Sequence, residues 1–243
     1  MRNGSLLFRM MRPLTILAIS FIAGSALHAD LTLEQKIEGA SQKGNIVTRV
    51  KGDKFRLDMP GGPAGPLSTI VDIKSGDVIT LVHDKKIAIN RTGAQIRQAQ
   101  EARDRQAGGV PAKKSEPPKP RATGLTEHVG DYEAEIYTLS VDDSTETLWL
   151  VKDYPNFESI REHLQRVGKA SPTGANRSAT VDAASLPGLL VKRQKERGGQ
   201  KMTNTLTTAK QDAIEDSVFE TPADYRETTQ PNPPALPPAT PAK

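Results

Sequence analysis

The chain has 243 residues, no cysteine, 33 lysines and arginines against 29 acidic residues, and a single tryptophan. The missing cysteine excludes disulfides, thiolate metal centres, a cysteine nucleophile and a lipid-modified N-terminal cysteine. The basic clusters at Arg97–Arg121 and Lys192–Lys201 are not interleaved with aromatics as a nucleic-acid surface usually is.

In chain order, three arginines and no acid precede an apolar run from Leu14 to Ala23, which small residues follow. That is the layout of a secretory signal peptide. The run is about ten residues, half of the roughly 20 a membrane helix needs. Cleavage is expected after Ala29, with Ala26 as the alternative, and Met10 or Met11 as possible true starts. Loss of residues 1–29 removes three of the 33 basic residues and none of the 29 acidic ones, leaving a formal charge of +1. The expected location is the periplasm or the exterior, and no transmembrane segment is expected in the mature form.

From Leu31 to Asn90 apolar residues recur with period two, the mark of half-buried strands. Leu31, Leu33 and Ile37 alternate with polar residues, as do Phe55, Leu57 and Met59, and Ile87 and Ile89. Turn sequences at Lys51, Gly61 and Ser75 divide the segment into about six antiparallel strands. The glycines at 61, 62 and 65 open no helix, so they do not make a phosphate loop. Thr92 and Gln95 then stand at capping-box spacing before a helix whose apolar side is little more than Ile96 and Ala99. Residues 108–124 are rich in proline, lysine and glycine and are expected to form a disordered insert.

The acid-rich stretch Val129–Asp153 reads as a hairpin. Tyr132, Ala134 and Ile136 share one face of an extended strand, Glu133 and Glu135 the other, and Leu148 to Val151 return. Alternation puts the acids on a solvated face, without the desolvation a catalytic carboxylate pair needs. A helix follows, with Phe157, Ile160, Leu164 and Val167 on one stripe. It is expected to cover the sheet. His83, His128 and His163 have no metal-binding spacing, and no GxSxG elbow occurs.

Leu186–Glu227 supplies a strand "PGLLVKRQ", a glycine turn, a threonine-rich return strand and a closing segment "DSVFETPADYRE" that should pin Phe219 and Tyr225 against the sheet. Together with the Val129–Asp153 hairpin, this resembles the bacterial secreted family known as domain of unknown function 4412, over Asp30 to Arg226. That family is itself similar to the outer-membrane lipoprotein carriers and their receptor relatives. The resemblance implies a mainly β fold: a curved antiparallel sheet, an unclosed half-barrel, with helices on its concave face and an apolar cavity between. In the carriers such a cavity holds lipoprotein acyl chains.

The expected organisation is a signal peptide over 1–29, one β-rich domain over 30–226 containing the insert, and a disordered proline-rich tail over 227–243. The expected function is non-enzymatic, with no catalytic residue, no metal and no cofactor. One reading is a periplasmic module that binds or carries a lipid or lipoprotein acyl chain, its wall formed by Trp149, Phe157, Ile160 and Leu164. The alternative is an envelope structural or interaction protein with a solidly packed sheet, whose partners are other envelope proteins.

Overall fold

Period-two alternation over the first sixty residues of the mature chain becomes six strands in the computed structural model, which describes residues 30–40, 42–62, 65–106, 119–141, 143–170 and 183–229. They are β1 (Leu31–Gly39), β2 (Lys43–Lys51), β3 (Lys54–Gly62), β4 (Gly65–Asp72), β5 (Val78–Val82) and β6 (Ile87–Arg91). Helix α1 (Gly93–Gln106) follows. Its start is the expected reciprocal cap: the Gln95 amide donates to Thr92 Oγ1 at 3.2 Å, and the Thr92 amide donates to Gln95 Oε1 at 2.8 Å.

A second meander comprises β7 (Arg121–Val129), β8 (Tyr132–Val141) and β9 (Ser144–Val151). Helix α2 (Phe157–Ala170) then precedes β10 (Leu189–Arg197) and β11 (Gln200–Lys210). A short strand β12 (Arg226–Thr229) closes the described chain. Strand β7 takes in Arg121 to Gly124, the last residues of the expected insert, and β12 takes in the first residues of the expected tail. The signal segment, residues 108–118 of the insert and residues 230–243 of the tail lie outside the described residues.

All twelve strands join one sheet in the order β12-β6-β5-β4-β3-β2-β1-β11-β10-β9-β8-β7. Every neighbouring pair is antiparallel except β12 beside β6. In the sheet the two meanders are joined where β1 pairs with β11, from Thr32 opposite Lys210 to Gly39 opposite Met202. The half-barrel is therefore not found. The sheet is open and not strongly curled, with β12 and β7 at opposite ends.

The physical reason lies in its two covered faces. On β9, Trp149 and Val151 join α2 and β1 in one apolar cluster, while Leu148 and Leu150 join Leu139 and Leu186 in another. On β4, Val71 packs with Val78 and Ile96 of α1, and its neighbour Ile70 packs with Leu81, Ala88, Ile214 and Phe219. A half-barrel concentrates its apolar residues on the concave side, whereas strands apolar on both faces need a layer against each. Phe55 touches both the α1 and α2 clusters, so the two helices share a face.

Because β6 and β7 stand ten strand spacings apart in this order, the chain between them must run roughly 48 Å along the sheet. That accounts for the length of the connection through α1. Brief trypsin treatment should cut between Arg103 and Arg121 before it cuts β8 or β9, since ladder bonds must open before a strand can enter a protease. The two fragments should co-elute on sizing without denaturant, held by the β1–β11 ladder, and separation would show that ladder too weak to join the meanders.

Candidate functional site

Two places on the sheet gather polar chemistry. The first arises from register. In the β2–β3 ladder Arg49 lies directly opposite Arg56, a like-charge pair that destabilises an antiparallel sheet. Asp58, two residues along β3, accepts from both: Arg56 Nε donates to Oδ1 at 2.7 Å, and Arg49 Nη1 donates to Oδ2. Asp58 is opposite Ser68 on β4, and the Ser68 hydroxyl donates to Asp58 Oδ1 at 2.5 Å.

From Ser68 the chain of contacts runs outward. Its Oγ is 2.6 Å from His83 Nε2, and His83 Nδ1 is 2.5 Å from the Tyr225 hydroxyl. Proton counting assigns the roles. Ser68 gives its one proton to Asp58, so it accepts from Nε2–H, and in the neutral imidazole Nδ1 then accepts from Tyr225. Burial pushes the Asp58 carboxyl up, but the Ser68 hydroxyl and the Arg56 and Arg49 guanidiniums together outweigh it and hold the group below the ordinary aspartate value.

Serine, histidine and aspartate in contact invite comparison with a hydrolytic triad. The order is different. A triad places histidine between serine and aspartate, whereas here serine stands between the other two and is 0% exposed. The second histidine nitrogen is engaged by Tyr225. What the network does is clasp the segment between β11 and β12 to the sheet.

Other anchors along that segment act alike. The Ile214 amide donates to Asp30 at 2.8 Å, Lys51 donates to the Ile214 carbonyl and pairs with Asp216 at 3.1 Å, Arg56 donates to the Val218 carbonyl at 2.6 Å, and Lys86 pairs with Asp224 at 2.8 Å. Phe219 is buried and Tyr225 packs beside it against β4 to β6, as the closing motif leads one to expect. Sequence reasoning missed Asp58, Ser68 and His83 as a group. Asp58 comes opposite Ser68 through a register shift between Met59 and Gly62, which plain counting back from the turn does not reveal.

The second place is the α2 face. Trp149, Phe157, Ile160 and Leu164 all belong to or pack against one apolar cluster with Leu31, Leu33, Val50 and Val151. The structure thus brings the four expected wall residues together. The Trp149 indole donates to Glu127 Oε2 at 2.8 Å, and Lys192 stands 4.2 Å above its ring while donating to Glu127 Oε1 at 2.9 Å. Hydrogen bonding from Lys192 and then from Trp149 keeps the exposed Glu127 carboxyl below its usual range. His163 is buried, its Nδ1 2.8 Å from the Ser159 carbonyl.

Glu146 corrects the reading of the hairpin acids as solvated. It is 1% exposed, because its face of β9 carries Leu148 and Leu150 and is covered as well. Arg193 donates to it at 2.6 Å and Lys195 stands 3.6 Å away. Among the described residues, no group of three or more histidines and acids is placed to hold a metal ion, and no helix is long and apolar enough to cross a membrane.

The family described as Domain of unknown function (DUF4412) matches residues 30–225. The chain belongs to that family. No curated protein matches it significantly. Among solved structures, PNGF-II aligns at 13% identity and a TM-score of 0.37, covering 83% of this chain. The chain spans only 31% of the length of that protein. The Mycobacterium tuberculosis lipoprotein LppX aligns at 10% identity and a TM-score of 0.39, over 77% of this chain and 88% of its own. Both likenesses are remote and say nothing about cargo or substrate here.

The Asp58 network yields a signed pH dependence. A carboxyl held low in the folded state stabilises fully above the ordinary aspartate pKa and loses that contribution as pH falls through its lower folded value. Wild type should exceed Asp58→Asn in unfolding free energy at about pH 6, and the gap should narrow towards about pH 3. Ser68→Ala should cost about 1–3 kcal/mol by stranding buried polar groups. Urea titrations across pH check both, and a gap independent of pH would mean Asp58 is not the charged partner drawn above.

Proposed function

We propose that the chain is an exported, non-enzymatic envelope module that serves as a structural or interaction scaffold. Export rests on the N-terminal charged, apolar and small-residue order. The observation that carries the rest is the fixed state of Trp149. A residue lining a space for cargo is free to meet it, whereas this indole is tied to Glu127, capped by Lys192, and packed among Val151, Phe157 and Ile160. With apolar clusters against both faces of the sheet, its edges, its turns and the outer parts of its central strands are what it offers to partners.

The other reading, an apolar ligand such as a lipid or acyl chain held against Trp149, Phe157, Ile160 and Leu164, is favoured by the same clustering. It requires α2 to lift from the sheet, breaking the contact of Arg166 with the Gly52 carbonyl and of Gln211 with Ser159. The two readings part on one residue. Ile160 is 2% exposed, so Ile160→Arg in a packed interface should cost about 3–5 kcal/mol, the scale of an uncompensated buried charge.

Under the scaffold reading, native mass spectrometry finds no lipid removable by solvent extraction, a long-chain fatty acid leaves tryptophan emission unchanged, and Ile160→Arg melts far below wild type. A saturable emission change in wild type, lost in an Ile160→Arg protein that keeps its melting transition, would replace the scaffold with a carrier.

A further inference from the structure

The segment after β11 belongs to the second meander by chain connection and to the first by its contacts. Asp30, Lys51, Arg56 and His83 stand 142 to 184 residues away in the sequence from the groups of this segment that they hold. Ile214 and Phe219 are buried against Ile70, Leu81 and Ala88 of β4 to β6, and the four residues of β12 run parallel to β6. Residues 214–229 are in effect an arm of one meander docked on the other.

The hinge of the arm is short. Lys210 is the last residue of β11 in the ladder with β1, Gln211 donates to Ser159 of α2 at 2.6 Å, and Ile214 is the residue held by Asp30. Between them stand Asp212 and Ala213, both exposed and neither of them glycine. Two such residues leave few ways to turn the arm back onto its own sheet, and short hinges favour exchange of the arm beyond them.

The groove beneath the arm is costly to leave bare. Departure of the arm would uncover Leu81 and Ala88, each 0% exposed, and would take from Arg56 and Lys51 the carbonyls of Val218 and Ile214. Apolar surface returned to water and donors stripped of acceptors both oppose that state. The same arm from a second molecule restores each of these contacts, and it is the occupant whose fit to the groove this fold displays.

We propose that two copies of the chain exchange residues 214–229, each arm docking on the first meander of the other copy as the two hinges open. Exchange of an identical element is a low-cost route to a dimer, because the contacts are conserved and only the hinge changes. The inference deepens the scaffold reading by giving it a partner, a second copy of itself. It answers to a separate measurement, since the arm and α2 lie on opposite faces of the sheet, and its failure leaves the Ile160→Arg test as it stands.

The mature chain has no cysteine, so single thiols can report where the arm docks. Asn90 Nδ2 donates to Glu227 Oε2 at 3.1 Å across β6 and β12. Asn90→Cys in one preparation and Glu227→Cys in a second, distinguished by a tag, are mixed in mild urea, concentrated, returned to buffer and treated with a short bismaleimide. A product containing one chain of each kind is expected, and almost none from either preparation alone. By light scattering on sizing, the ratio of wild-type dimer to monomer should rise about tenfold for each tenfold rise in concentration while the dimer is the minor form. Deletion of Asp212 and Ala213 should shift the chain towards dimer, and insertion of a flexible glycine-serine stretch after Ala213 towards monomer. A dimer that gives no mixed product is joined elsewhere and overturns the proposal. So does a chain that stays monomeric at every concentration, with and without the hinge deletion. Should the deletion prevent folding, which a melting curve shows, the mixed product formed with the intact hinge decides alone.

Discussion

The ladder between β1 and β11 is the contact on which the rest of the architecture depends. Each meander is locally assembled, strand against next strand through short turns, and would form a sheet of its own. Joining them edge to edge leaves β6 near one end and β7 at the other, and so requires the long connection through α1. It also brings together the apolar residues beneath α2. Leu31, Leu33 and Val50 come from the first meander, and Val129, Ala134, Trp149 and Leu189 from the second. Helix α2 is therefore a seal over the seam: its buried stripe draws on both halves and holds them at the angle their ladder sets.

A second long-range constraint runs on the opposite face. The segment from β11 to β12 crosses the strands of the first meander before β12 settles beside β6. Apolar contact supplies an attraction without direction, so Ile214 and Phe219 alone leave its path loosely defined. Direction comes from the polar anchors, spaced from Asp30 and Lys51 through Arg56 to His83 and Lys86. Asp58 belongs to the same system, since it neutralises the facing pair Arg49 and Arg56 and so lets Arg56 turn a guanidinium nitrogen to the Val218 carbonyl. Repulsion inside the sheet and docking of the segment are settled by one carboxylate.

Much of this was legible in the sequence where a signal is local. Period-two alternation together with the turn sequences between located about six strands in the first meander, the Thr92 and Gln95 spacing located the start of α1, and the stripe from Phe157 to Val167 located α2. The closing motif placed Phe219 and Tyr225 against the sheet. Curvature was not legible, because alternation tells which residues of a strand share a face and nothing about how strands accumulate into a surface. The consecutive apolar residues at Ile70–Val71 and Leu148–Val151 did carry the sign of a sheet covered on both sides, and this is what hid Glu146. The Asp58–Ser68–His83–Tyr225 group was hidden for another reason: its members come from four separate stretches, and a hydrogen-bond network has no period.

With apolar clusters against both faces, the exposed remainder of the sheet is its two edges, its turns and the outer parts of β1, β2 and β11. The edges are poorly suited to taking on another strand. Strand β7 slips register between Ala122 and Thr126, with Gly124 at φ 77°, and a bulge of this kind interrupts the row of free amides that a further strand would need. Strand β12 is four residues long, and Pro231, Pro233 and Pro234 follow in the sequence, residues without the N–H that would extend a ladder. Growth of the sheet from one molecule into the next is thus opposed at either end by different means. The turns carry no such constraint, since a hairpin tip tolerates change without disturbing the ladders behind it.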